Sequence, residues 1–115
     1  MKDTNTSALL AELQAYETHV RELTREWGSQ PRVEVFGEAG RAMDRIRRLA
    51  AAHSALAPQW LLVMISHAEL MHNAWRAAQG EPLPLEAEVR EHLACVSALQ
   101  ERCLQLLVRG GSVLH

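Results

Sequence analysis

Apolar residues recur along this chain at alternating steps of three and four, the spacing that lines one face of an α-helix. Leu9, Leu13, Tyr16, Val20, Leu23 and Trp27 step by 4, 3, 4, 3, 4, while Glu12, Glu17, Arg21, Glu22, Arg25 and Glu26 occupy the outside. This pattern predicts a first helix over about 7–27, with Thr6 or Ser7 as N-cap, residues 1–6 as a flexible tail and Gly28 past its end. A second helix is predicted to end near 57, secure from about Glu38 and extendable back to Pro31. Over 31–37 two patterns compete, since Val33 and Val35 alternate like a strand and Gly37 and Gly40 weaken a helix. Its inner face is Met43, Ile46, Ala50, His53 and Leu56/Ala57.

The third segment, about 58–79 between Pro58 and Gly80, is the most apolar. Trp60, Met64, His67, Met71, Trp75 and Ala78 make one stripe, and Leu61, Leu62, Val63, Ile65 and Leu70 spread apolar character over most of the rest. A fourth helix, about 84–109, follows the turn Gly80-Glu-Pro-Leu-Pro84. Its seam is Leu85, Val89, His92, Val96, Leu99, Cys103 and Leu106, and Gly110-Gly111 is expected to end it, leaving 110–115 as a tail. Four helices with short connections predict an all-α, antiparallel up-down-up-down four-helix bundle. At 115 residues the chain fits a single domain, 1–115.

Composition sharpens this picture without changing it. Few β-branched residues and abundant Ala, Leu, Glu, Arg and Gln favour helix over sheet. A net charge of −2 offers no overall attraction to nucleic acid or anionic membrane. The apolar run 60–65 is far shorter than the roughly 20 residues of a membrane span. The polar start, Met-Lys-Asp-Thr-Asn-Thr-Ser, has no apolar leader, so a soluble cytoplasmic protein is expected. Cys95 and Cys103, about 12 Å apart along one helix, are too distant for a disulfide and suit a reducing compartment.

Histidine is the one unusual enrichment. His53, His67 and His92 fall on apolar faces of three helices, but rise per residue puts them about 6, 13 and 20 Å from the 57/58 turn, too spread for one ion. His72, His92 and His19 come level, with Glu69 a turn above. Glu69, His72 and His92 are therefore the candidate metal set, although no second Glu-x-x-His completes a dinuclear centre. No cofactor is otherwise implied.

Histidine phosphotransfer domains share this size and class, but none of His53, His67 or His72 is followed by their Lys-Gly. Arg48 and His53 are similar in spacing to the Arg-to-His motif of the HEPN helical ribonucleases. Arg41, Arg45 and Arg48 form a basic stripe that could meet phosphates, diluted by Glu38 and Asp44 and without interleaved aromatics. No Gly-rich phosphate loop, CxxC, Ser-His-Asp order or paired-carboxylate arrangement is present, and adjacent Ser66 and His67 diverge by about 100° on a helix.

The expectation is a non-catalytic protein–protein interaction module, of the regulator, adaptor or secretion-chaperone kind, acting as a homodimer, with a protein client as its other expected partner. Its interface would use Trp60, Met64, Met71, Trp75, Leu93, Leu104 and Leu107. A metal-binding bundle and a nucleic-acid-binding regulator are the alternatives.

Overall fold

A computed structural model describes residues 2–25 and 33–113, with side chains placed over 5–23 and 36–109. The chain is all-α: α1 (Lys2–Arg25), α2 (Val33–Ala50), α3 (Ala57–Ala78) and α4 (Leu85–Val113), with a single 3₁₀ turn at Ser54–Leu56 and no strand among the described residues. Trp27, Gly28 and Pro31, expected to close the first helix and open the second, lie outside the described residues.

Where the charges outline a stripe, the seam is as expected: Leu9, Leu13, Tyr16, Val20 and Leu23 of α1 are all buried. α2 is helical already at Val33, so the Val33/Val35 alternation does not make a strand. Its inner face is Ala39, Ala42, Met43, Ile46 and Ala50. It stops at Ala50, seven residues short of expectation. Residues 51–53 turn, and Leu56 on the 3₁₀ turn is the next residue to enter the core. α1 begins at Lys2, ahead of the expected cap, and Thr6 is buried. α4 runs through Gly110-Gly111 to Val113, because glycine weakens a helix by only about 1 kcal/mol per residue and no proline follows.

α3 ends at a Schellman cap. The Gly80 N–H donates to the Ala77 carbonyl (2.9 Å) and the Glu81 N–H to the Arg76 carbonyl (3.3 Å). The cap needs a left-handed residue, and Gly80 supplies it with φ +96°. Arg76 then pairs with Glu81 at 2.5 Å, and the two prolines of 81–84 carry the chain over to α4.

α1 packs against α2 and α4, α3 packs against α4, and α2 touches α3 more lightly. Side-chain pairs fix the order of contact. Between α1 and α2, Thr6 meets His53, Glu12 meets Arg45 and His19 meets Glu38, so numbers rise on one helix as they fall on the other. Between α3 and α4, Ser66 meets His92 and Asn73 meets Glu88, again in opposed order.

On α3 the buried line is Trp60, Val63, Leu70 and Ala74, with His67 half-buried between them. This line shares Trp60 and His67 with the stripe the sequence suggested and is rotated from it by roughly 60° about the helix axis. Met64 and Met71 flank the core, and Trp75 points outward, 58% exposed.

Candidate functional site

The most unusual chemistry lies inside the core. Tyr16 occupies a fully buried seam position of α1 and sets its hydroxyl between two imidazoles. It bonds His67 Nδ1 of α3 at 2.7 Å and His92 Nε2 of α4 by a short contact. The other nitrogen of His92, Nδ1, meets Ser66 Oγ at 2.5 Å, and Ser66 Oγ donates to the Val63 carbonyl at 3.2 Å. The Tyr16 ring lies edge-on to His92 and tilted to His67, with both centroid separations 5.5 Å.

One assignment of protons uses all four contacts. His67 Nδ1–H donates to the Tyr16 oxygen, and Tyr16 O–H donates to His92 Nε2. His92 Nδ1–H donates to Ser66, and Ser66 donates to Val63. Both histidines are then neutral Nδ1–H tautomers in one polarised chain across three helices. Burial favours that neutral state. It pushes the Tyr16 phenol well above its ordinary pKa. Burial, reinforced by the neighbouring His67, lowers His92 to about 4. Burial also lowers His67, opposed by the carboxylate of Asp44.

Such a chain holds helices in register, since every polar group it buries is satisfied only when α1, α3 and α4 align. Within it, His92 is closed to an external substrate. His92 is 1% exposed and both its ring nitrogens are engaged. Cys103 is no nucleophile either, because it is fully buried and its thiol is pushed up to about 11.

The structure does not bring Glu69, His72 and His92 together. His92 is in the core, while Glu69 and His72 are exposed on the outer side of α3, and no metal-sized grouping among the described residues contains them. His53 also stands apart, bonded through Nε2 to Thr6 Oγ1 at 3.4 Å. The axial spread of 13 and 20 Å assigned to His67 and His92 does not keep them apart. Their ring centroids are 6.2 Å from each other, and Ser66, the residue before His67, bonds His92 directly.

Arg41, Arg45 and Arg48 are all exposed along α2, with Arg45 held by Glu12 at 3.0 Å. The neighbouring Arg47 lies 3.8 Å from Asp44, so the basic face is partly neutralised.

Of the expected interface residues, Trp60 is buried, Met64, Met71 and Leu93 pack against the core, and Leu107 is half-buried. Trp75 and Leu104 are exposed, joined by Leu61, Leu62, Ile65 and Val108. No family model matches the sequence, and no curated protein or solved structure matches it either.

The outer face of α3 is the second notable feature. Its exposed positions over 57–75 are Ala57, Pro58, Leu61, Leu62, Ile65, Ala68, Glu69, His72 and Trp75. Glu69 is the only Asp, Glu, Lys or Arg on the helix before Arg76. A helix lying against water on that side ordinarily carries charge there. The shallow shelf formed by Glu101, Leu104, Gln105, Val108 and Arg109 is lined by α4 alone among the described residues.

Proposed function

We propose that the chain is a non-catalytic interaction module, an antiparallel up-down-up-down four-helix bundle that pairs with a second copy through the outer face of α3. The observation that carries this reading is the near absence of charge on that face, where Leu61, Leu62, Ile65 and Trp75 are each about half exposed. The opposed order of the α1/α2 and α3/α4 pairs supports the bundle topology.

A second copy is the occupant this face suits. Leu61, Ile65, Ala68, His72 and Trp75 step by 4, 3, 4, 3, which is a helix–helix seam. Laid antiparallel on itself about Ala68, the seam sets Leu61 of one copy opposite Trp75 of the other, and Ile65 opposite His72. Ala68 meets its equivalent and allows close approach, giving the self-complementarity of a two-fold interface. A regulator, adaptor or secretion-chaperone role, with a client on what stays exposed, is consistent with such a dimer.

Absolute mass by light scattering with in-line chromatography tests the reading. The wild-type chain should run at twice its 12.9 kDa, and Ile65→Glu and Trp75→Glu should run as folded monomers. Both sites are exposed in the single chain, so the substitutions leave its core intact. A monomeric wild type, or variants that keep the dimeric mass, would refute it.

A further inference from the structure

The α1/α2 seam carries a second constellation, unrelated to the α3 face. His19 and Glu22 lie one turn apart on α1, and Glu38 reaches them from α2. One ligand atom from each, a histidine nitrogen and two carboxylate oxygens, lies within 4.8 Å of the other two. The geometry points to a binding site for one divalent first-row transition ion, held by His19, Glu22 and Glu38.

Four observations carry this. His19 Nδ1 is shut off from water and accepts or donates no hydrogen bond. A buried nitrogen left in that state is costly and needs a reason. Its nearest opposite charge is Glu38 Oε2 at 3.5 Å. That distance is long for a charge-assisted hydrogen bond, which closes to about 2.7–2.9 Å. It does match the separation of two donors about 2.1 Å from a tetrahedral ion, which is roughly 3.4 Å.

Second, the backbone sets the convergence. Thr6/His53 and Glu12/Arg45 fix the α1/α2 register, and the same register places His19 directly across from Glu38. Third, the charges differ from those nearby. Glu12 holds Arg45 and Glu17 holds Arg21, whereas Glu22 and Glu38 pair with no arginine or lysine among the residues whose side chains are described, 5–23 and 36–109. Two carboxylates beside an imidazole suit a dication.

Fourth, the site is reachable. The His19 and Glu38 side chains are 24% and 45% exposed, so an ion enters from solvent and keeps water in its remaining positions. Nitrogen with two oxygens selects Zn²⁺, Co²⁺, Mn²⁺ or Fe²⁺ over Mg²⁺ and Ca²⁺, which favour oxygen alone. A bound ion would clasp α1 to α2.

The test uses the full chain without an affinity tag, stripped with chelator and titrated with Zn²⁺ by calorimetry. One equivalent per chain is expected, with Zn²⁺ raising the melting temperature. Co²⁺ should give visible absorption bands of a low-coordinate nitrogen–oxygen site. Glu38→Gln and His19→Ala should each weaken binding at least tenfold and abolish the thermal shift. His72→Ala, at an exposed position of α3 outside this grouping, should change neither. Circular dichroism of each variant establishes that it is folded. No stoichiometric binding by the wild type, or binding unchanged in folded Glu38→Gln, overturns the proposal.

Discussion

Replacing Tyr16 by Phe removes a single oxygen and keeps the ring that fills the core. That oxygen is the middle link of the buried chain, so its loss strands two groups at once: the His67 Nδ1–H loses its acceptor and His92 Nε2 loses its donor. The count is the same for the opposite polarity of the chain, so it does not depend on which tautomers are drawn. A buried polar group left without a partner costs about 1–3 kcal/mol; half-buried His67 takes about the lower figure, so the two together cost about 2–4 kcal/mol. For a domain this size, whose whole stability is about 5–15 kcal/mol, that lowers the melting temperature by roughly 8–16 °C. Thermal unfolding followed by far-UV circular dichroism at pH 7.5 measures it. A double-mutant cycle with His67→Ala should return a coupling of about 1 kcal/mol or more. A Tyr16→Phe protein that melts within about 2 °C of the wild type would mean that the chain through Tyr16 is not what aligns these helices.

The same chain makes stability depend on pH. The folded pKa of His92 lies below the unfolded value, so the unfolded chain takes up the proton first. The contribution, about 3 kcal/mol for a fall from 6.5 to about 4, is fully present above pH 6.5 and is lost as pH drops toward 4. His67 adds to it in the same sense, and urea midpoints between pH 7.5 and 4.5 report it. The two described tryptophans of α3 should part company on truncation. Trp60→Ala empties a core position and should cost about 3–5 kcal/mol, whereas Trp75→Ala should leave the stability of the isolated chain within about 0.5 kcal/mol; denaturant curves at the lowest measurable concentration separate them.

How much of this was legible in the sequence depends on where polar residues stand. On α1 the glutamates and arginines mark the outside so clearly that every described seam residue, from Leu9 to Leu23, is buried. On α3 almost nothing marks the outside. A helix apolar on all sides offers several stripes, and the one running through Trp60 and Met64 lies beside the true buried line through Val63, Leu70 and Ala74. The same ambiguity hid the interface candidates, since Leu61 and Ile65 look as core-like as Val63. The buried chain was half visible. Tyr16 and His92 both stand on seams and His67 on an apolar stripe, a signal that three polar tips enter one core. Their meeting depended on how α4 lies against α3, where Ser66 beside His67 faces His92, and a ruler run from the 57/58 turn does not contain that. His19 and Glu38 could not be joined from sequence because their pairing rests on the α1/α2 register.

The two faces of α3 are physically linked through one turn of helix. Ser66 and His67 point inward, where they are fixed to α4 and α1, and Ile65 immediately before them points out to solvent. An apolar core alone tolerates rotation of α3, because Leu61, Ile65 and Val63 are near equivalents as buried side chains. The histidine chain is not tolerant. Rotating α3 by one residue, about 100°, would turn Leu61 or Leu62 toward the core but would move Ser66 and His67 from their places against His92 and Tyr16, leaving buried donors and acceptors unpaired. The polar chain therefore selects which side of an all-round apolar helix is left outside, and so which residues are free to meet another copy. On this argument Tyr16→Phe should do more than destabilise. By removing the selector it should also let α3 sample other rotations, which would broaden the ¹H–¹⁵N resonances of α3 and weaken self-association even at temperatures where the helices persist. A variant that is merely less stable, with sharp α3 resonances and an unchanged dimer constant, would show that apolar packing alone orients the helix.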